Sequence, residues 1–378
     1  MISPSLALYV HIPFCQYKCH YCDFNSGPFT NTARQIYLQS LQREILNSPL
    51  QNSMAKTVYF GGGTPSELDS EELGRLVLAL QQSFLTDSSN EWTIECNPGS
   101  VTPVRWRSLR VLGFNRISLG VQSFSDVHLQ NLGRIHSASD ARKSFYWARE
   151  AGFRNINLDL LFGLPGQTLE QWESDLQEAI SLSPEHLSLY GLNIEVGTRI
   201  FRRIASKELR KTNEDLSATM YERSIELARE AGYLQYEISS FAKPGRQCIH
   251  NLSYWHNKPY LGFGLSASSF IEGIRWTNSG SFSEYFQKIE SGQTTRKNEE
   301  HLKGLSALGE EIMLRLQTEE GFSTADLSLR YTCDINLHFG ETIRFLCRQG
   351  LVNRDQGWIR LTRRGKLLAN EVWMQFLA

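Results

Sequence analysis

Two periods alternate along the first 240 residues. Short runs rich in β-branched and aromatic side chains, at 6–14, 56–63, 91–99, 116–123, 155–163 and 186–194, have the character of buried or half-buried strands. Between them, 33–46, 66–84, 137–152 and 168–182 space their apolar residues three and four apart, as an amphipathic helix does. Strand then helix, repeated about six times, predicts a parallel sheet with right-handed crossovers. The stretches "GGGTP", "ECNPG", "GVQSF", "LDLLFGLPGQT" and "LNIEVG" all fall at or just past the C-terminal end of a strand. That end is the functional face of a βα barrel, whereas a doubly wound sheet gathers its ligands at one switch point. Six strands instead of eight predict an α/β fold whose first domain, 1–240, is a partial (βα)6 barrel of the TIM type.

The rhythm breaks near residue 240. The stretch 239–270 is rich in Gly, Ser and aromatics without a clean period, so 241–300 reads as a connecting segment. From 301 to 378, three helical stretches precede a hairpin and a closing helix, an order that resembles an α+β winged-helix module. Such modules commonly bind DNA, but "RDQGWIRLTRRGK" is the only basic stretch in this one, which favours a packing or partner-docking role.

Composition narrows the classes. The 378 residues are 41% hydrophobic and 21% charged with a formal charge of -1, which leaves no electrostatic footprint for nucleic acid. The opening "MISPSLALYVHIPF" has no basic start and its apolar run is broken by His11 and Pro13, so it reads as a first strand and not as a secretion signal. No run reaches the ~18 apolar residues of a membrane span. Seven cysteines, three crowded and four scattered (Cys96, Cys248, Cys333, Cys347), do not form a secreted disulfide framework. The expectation is a cytoplasmic protein with reduced thiols.

The crowded cysteines are the sharpest signal. In "HIPFCQYKCHYCDFNS", Cys15, Cys19 and Cys22 lie within eight residues, directly after the first strand. Three thiolates spaced C-x3-C-x2-C hold either zinc or an iron-sulfur cube. A structural zinc site takes four protein ligands, usually from paired C-x2-C knuckles; no second knuckle exists, and His20 has little freedom to reach inward. A four-iron cube on three cysteines leaves one iron open for an outside ligand.

This spacing after the first strand of a βα barrel, with an aromatic at Tyr21, resembles the radical S-adenosylmethionine superfamily. The resemblance implies a 4Fe-4S cluster on Cys15, Cys19 and Cys22 whose open iron chelates the methionine part of S-adenosylmethionine. It also implies that Gly62, Gly63 and Thr64 of "GGGTP" lie against the methionine amino group and that Glu95 of "ECNPG" grips the ribose hydroxyls. Gln122 of "GVQSF" and Arg134 of "LGRIH" take the roles of contacts to ribose and methionine carboxylate, Asp159 that of a further cofactor contact, and Tyr9 that of a neighbour of the cluster. Singly, a Glu, Gln or Asp at a strand end is more often a cap or turn former; together, at matching spacing, they are hard to read that way.

The likeness is finer than the superfamily. "YVHIPFC", "GFNRISLGVQSF", "NLDLLFGLPGQT" and the C-terminal module resemble the anaerobic coproporphyrinogen III oxidase-like family, closest to its haem-chaperone branch. The dehydrogenase branch has a further cysteine where this chain has Phe24, and a segment before the first strand for which residue 6 leaves no room. "HNLSYW", 250–255, fits the HNxxYW motif of the chaperone branch and implies His250 as a haem contact, with Tyr254 and Trp255 offering flat apolar surface. The resemblance thus implies a haem carrier that delivers haem to haem-requiring apoproteins, membrane-associated respiratory proteins among them, with the oligomeric state open. The alternative is an enzyme, radical oxidative decarboxylation of coproporphyrinogen III propionates, against which Phe24 and the early first strand count. Among the remaining candidates, His11 reads as structural, His136 as either structural or functional, His256 as a loop residue or second axial ligand, and Cys248 as an inert thiol or an iron ligand.

Overall fold

The computed structural model describes residues 5–377. Six strands, β1 (Leu6–Ile12), β2 (Ala55–Gly62), β3 (Glu91–Cys96), β4 (Arg116–Gln122), β5 (Ile156–Phe162) and β6 (His186–Gly191), lie side by side in chain order, all parallel. Sequential order without a switch point is barrel topology. The sheet stays open. Beyond β6 it continues antiparallel through β7 (Leu234–Gln235) and β8 (Ser240–Ala242), with β8 against β6. Beyond β1 it continues through β9 (Tyr260–Phe263), β10 (Ser268–Ile271), β11 (Ile274–Asn278) and β12 (Arg296–His301).

Strand alternation separates two environments. Leu6, Leu8, Val10 and Ile12 of β1, and Ile117, Leu119 and Val121 of β4, are fully buried on the outer face. Against that face pack α1 (Asn31–Leu46), α2 (Ser70–Ser83), α3 (Pro103–Val111), α5 (Ala138–Glu150), α6 (Leu169–Ser181) and α8 (Glu214–Glu230), while α4 (Asp126–Leu132) and α7 (Arg199–Ala205) meet in a small separate cluster of Leu132, Leu161, Leu164 and Ile200. Capping boxes start α2 (Asp69 with Glu72), α5 (Ser137 with Asp140) and α6 (Thr168 with Gln171), each satisfying amides that a helix start leaves bare. The inner face carries Thr57, Glu91, Glu95, Arg116, Asn157 and Asp159, so the barrel's interior is polar.

The structure adds helices the pattern does not announce. α3 and α4 are nine and seven residues long, too short for a period to register. α8 has 17 residues but buries only Met220, Tyr221, Ser224 and Ala228, a thin apolar stripe. The first strand stops at Ile12 and the third at Cys96, because Pro13 and Pro98 end the ladder. Residues 241–300, read above as a connector, carry α9 (Ile249–Trp255), β9 to β12 and α10 (Phe282–Glu290), and so widen the barrel's own sheet.

The C-terminal module begins with α11 (Gly304–Arg315), then β13 (Phe322–Ser323), α12 (Thr324–Tyr331) and α13 (Ile335–Arg348). The wing is β14 (Val352–Asp355) and β15 (Trp358–Leu361) in a sheet ordered β13-β15-β14, closed by α14 (Arg363–Leu367) and α15 (Ala369–Met374). It has its own core around Ile312, Phe322, Ile343 and Ile359, and Ile238 packs against both cores. Among the described residues no helix is long and apolar enough to cross a membrane.

Candidate functional site

The loop after β1 is fastened on every side. Gly27 donates to Pro13 O and Cys15 donates to Gly27 O, both at 3.0 Å, closing the loop on itself. The backbone of Gln16 donates to Glu67 at 2.9 Å; His20 donates its amide to Leu132 O, and Ile200 returns an amide to His20 O, each at 2.8 Å. Asn25 donates to Ser266 Oγ at 2.9 Å and to Gly280 O at 3.0 Å. These contacts hold Cys15, Cys19 and Cys22, all half-buried, at the rim of a cavity of about 500 Å³ at the C-terminal ends of the strands.

Several groups point at the sulfurs. Thr64 Oγ1 lies 3.5 Å from Cys15 Sγ, Ser26 Oγ 4.0 Å from Cys22 Sγ, and Arg134 donates from Nη1 to Cys19 Sγ at 3.4 Å. Burial pushes the Cys15 and Cys22 thiols up, opposed by those hydroxyls. Hydroxyl and guanidinium donors around three thiols suit sulfur ligands that must carry negative charge, as they do on a cluster. Among the described residues no three Cys, His, Asp or Glu side chains close on one point as a lone metal ion requires.

Each S-adenosylmethionine candidate except Tyr9 lines this cavity: Tyr21, Gly62, Gly63, Thr64, Glu95, Gln122, Arg134 and Asp159. Glu95, near the end of β3, accepts from Tyr59 OH at 2.9 Å and from the Gly62 amide at 3.1 Å. Burial, reinforced by Asp159, raises its carboxyl to about 7. Asp159 accepts from Ser118 Oγ at 3.0 Å and Asn157 Nδ2 at 2.7 Å, and burial raises it as well. Arg134 is enclosed and engaged, donating to Asn97 Oδ1 at 2.6 Å and Gly120 O at 2.7 Å besides Cys19. Gln122 sits where the β4–β5 register slips, with φ of 70°, and that bulge turns its amide into the cavity.

The glycines of "GGGTP" are needed for a reason the pattern does not reveal. A Cβ on Gly62, whose φ is 110°, would lie 2.5 Å from the His11 ring, and one on Gly63 would lie 2.5 Å from the carbonyl of Phe14. The chain's own cysteine loop occupies the space, so these glycines first let β2 approach that loop. Thr64 then donates its amide to Phe14 O at 2.7 Å and accepts from Asn97 at 2.8 Å.

Two candidates, Tyr9 and His250, lie outside the cavity wall. The Tyr9 hydroxyl meets His11 Nδ1 at 3.2 Å, and its ring stands beside Tyr59. His250 is 1% exposed and lies outside the cavity wall. Its Nδ1 meets Thr57 Oγ1 and its Nε2 meets Tyr254 OH, both at 2.8 Å, while its ring stacks on Tyr59 at 4.9 Å. Burial lowers it to about 3. With both nitrogens bonded, His250 fastens α9 to β2. Tyr254, its hydroxyl on His250, meets Tyr260 edge to face and is likewise turned inward.

The other candidate histidines each have a partner within the fold. His11 meets Asn25 O at 3.3 Å, His136 meets Val121 O at 3.1 Å, and His256 faces Glu320 of the C-terminal module at 3.5 Å. Cys248 is sealed against Glu91, and burial raises its thiol to about 12. The cavity wall also includes residues the motif reading passed over: Asn97, Ser118, Arg116, Tyr190 and Asn251. Asn97 and Asn251 lay inside quoted motifs; the others are inward positions of the strands, legible from alternation alone.

Comparison with known proteins agrees with this layout. The family model of the radical SAM superfamily matches residues 9–179, and that of the HemN C-terminal domain matches 305–368. The chain is 36% identical to the heme chaperone HemW of Bacillus subtilis (strain 168) over 98% of each chain. It is 41% identical to the HemW of Escherichia coli (strain K12) over 70% of each. The solved structure of Escherichia coli coproporphyrinogen III oxidase (HemN), described as a radical SAM enzyme, matches with a TM-score of 0.88 at 25% identity, over 100% of this chain and 91% of that one.

Proposed function

The chain belongs to the HemW family of radical SAM proteins, and from that premise we propose that it is a haem chaperone. It binds haem and passes it to haem-requiring proteins, respiratory proteins at the membrane among them. The observation that carries this reading is the end-to-end likeness to a heme chaperone, 36% identity over 98% of both chains. Cys15, Cys19 and Cys22 hold a 4Fe-4S cluster, which when bound supplies an electron and an open iron for the methionine end of S-adenosylmethionine. Glu95 and Asp159 accept from the ribose side of the cofactor, Gln122 donates to it, and the Gly62–Gly63–Thr64 backbone and Arg134 line its methionine end. A cluster on half-buried thiols needs a reducing compartment, which supports a cytoplasmic location.

Haem is the cargo. With His250 buried, the surface offered to a flat macrocycle is the cavity mouth, where Tyr17 and Phe24 are each 61% exposed and Tyr190 faces them from β6. Aromatic faces suit a porphyrin. Phe24 thus presents a ring where the dehydrogenase branch carries a cysteine. Residues 1–240 bear the cluster and cofactor, 241–300 complete the sheet, and 301–378 serve as the docking module.

The test is anaerobic reconstitution followed by parallel assays of haem transfer and of coproporphyrinogen turnover. The expected result is stoichiometric haem uptake, transfer to an acceptor apoprotein, and loss of iron, sulfide and visible absorption in Cys19→Ala. Sustained S-adenosylmethionine-dependent formation of protoporphyrinogen would establish the enzyme instead.

A further inference from the structure

The inner face of the barrel is built in layers, because residues two apart on a strand face the same way and stand about 6–7 Å apart along it. On β4 the inward positions begin with Arg116 and Ser118. Across the pairing Arg116 is level with Thr93, Ser118 is level with Glu95 and with Asn157, and Gly120 is level with Asp159. Arg116 therefore stands one layer above Glu91, one layer below Glu95 and two below Asp159. It is 2% exposed and lines the same cavity as Glu95 and Asp159.

No described carboxylate forms an ion pair with this guanidinium, and its Nε is enclosed without a partner. Its charge is shared at a distance instead, favourably with Glu91, Glu95 and Asp159 together. Burial and Asp159 raise Glu95, and Arg116 draws it back; burial raises Asp159, which Ser118, Asn157 and Arg116 draw back. The tyrosines facing this space, Tyr9, Tyr21, Tyr59, Tyr190, Tyr236 and Tyr254, are all raised by burial and stay neutral. Burial likewise raises the Cys96 and Cys248 thiols and lowers His186 and His250. Two arginines and three carboxyls remain to carry the interior's charge, and Arg134 is committed to Cys19, Asn97 and Gly120.

We propose that Arg116 is a positioning residue for S-adenosylmethionine, the one counter-charge shared by two buried carboxylates, Glu95 and Asp159, that accept the ribose hydroxyls. Two carboxylates in one enclosed space repel each other, and without a cation one of them takes up a proton. A direct ion pair would hold one carboxylate and occupy the oxygens meant for the ligand. A cation one layer below charges both and leaves their oxygens facing the cavity. Glu95 spends one acceptor site of each oxygen on Tyr59 and Gly62, and its remaining sites are free for the cofactor. The inference rests on the reading of Glu95 and Asp159 as ribose contacts and is independent of where haem binds.

Equilibrium binding of S-adenosylmethionine to the reconstituted protein, measured as a function of pH, is the test. Arg116→Met should move the rise of affinity with pH upward by about one unit, so that affinity falls several-fold near neutrality and recovers in alkali. Arg116→Lys, of the same charge, should keep the wild-type profile. In the cofactor-free protein, the infrared band of the protonated carboxyl that Glu95→Gln removes should persist to higher pH in Arg116→Met by the same margin. An Arg116→Met profile that coincides with the wild type, or an Arg116→Lys profile displaced as far as that of Arg116→Met, overturns the proposal. Should the wild type not bind the cofactor, the ribose reading falls, and the infrared titration decides by itself whether Arg116 sets the charge of Glu95. Should Arg116→Met fail to fold, its combination with Glu91→Gln, which removes one buried charge of each sign, carries the same expectation.

Discussion

Glu95 shows how one carboxyl serves binding and opposes folding. The form that accepts ribose hydroxyls is the carboxylate, yet burial and Asp159 raise its titration to about 7. Affinity for S-adenosylmethionine should therefore climb as pH rises through 7. The sign for folding is the reverse: a carboxyl raised from its usual 4.5 contributes stability below that value, and the contribution is lost as pH rises through 7. Glu95→Gln should flatten the pH dependence of cofactor binding and lower affinity at about pH 8 by roughly tenfold or more, on a charged hydrogen bond of about 1.5–3 kcal/mol. Equilibrium binding at about pH 6 and pH 8 for both proteins checks it; an equal slope in the variant would take Glu95 out of the site.

At the scale of elements, α9 is a seven-residue wedge whose first amides are held by Glu91 and whose His250 pins it to β2. His250→Ala should cost about 2–4 kcal/mol by cavity formation and two lost hydrogen bonds. Haem affinity and the Soret band should stay unchanged, measured by denaturant titration beside haem titration. Altered haem spectra in a variant of undiminished stability would return His250 to the haem site. The same element shows what a sequence reveals. The six strands, their order and the cysteine loop were legible because alternation, helical spacing and a C-x3-C-x2-C cluster are all local patterns. The burial of His250 was not, because it depends on Thr57, 193 positions away, and on Tyr59, which stacks on it from β2. For the same reason β9 to β12 escaped: four-residue strands such as β9 and β10 are fixed by the neighbours they pair with more than by their own period.

Across the whole molecule, two hydrophobic cores meet at Ile238, which packs on both and donates its amide to Gln317 O at 3.0 Å. The nearby ion pairs of Arg363 with Glu222 and Glu226 are surface contacts worth about 0–1 kcal/mol each. Arg275 of β11, bidentate on Glu310 of α11, and the Glu319 amide on Tyr236 O at 3.0 Å join the two parts as well. Ile238→Asp should split a single calorimetric transition into two, the C-terminal module melting first; one unsplit transition at the wild-type temperature would show that the cores are joined elsewhere. The cysteine loop has a comparable long reach, since Asn25 is tied to Ser266 and Gly280, 241 and 255 positions further along. At about 5–20 residues per second, a ribosome needs on the order of ten to fifty seconds after making Cys22 before those anchors exist. For that interval the thiols belong to an unfinished nascent chain. A chain that stalls before Ser266 still makes the loop's holds on Glu67, Leu132 and Ile200 but lacks the two anchors of Asn25.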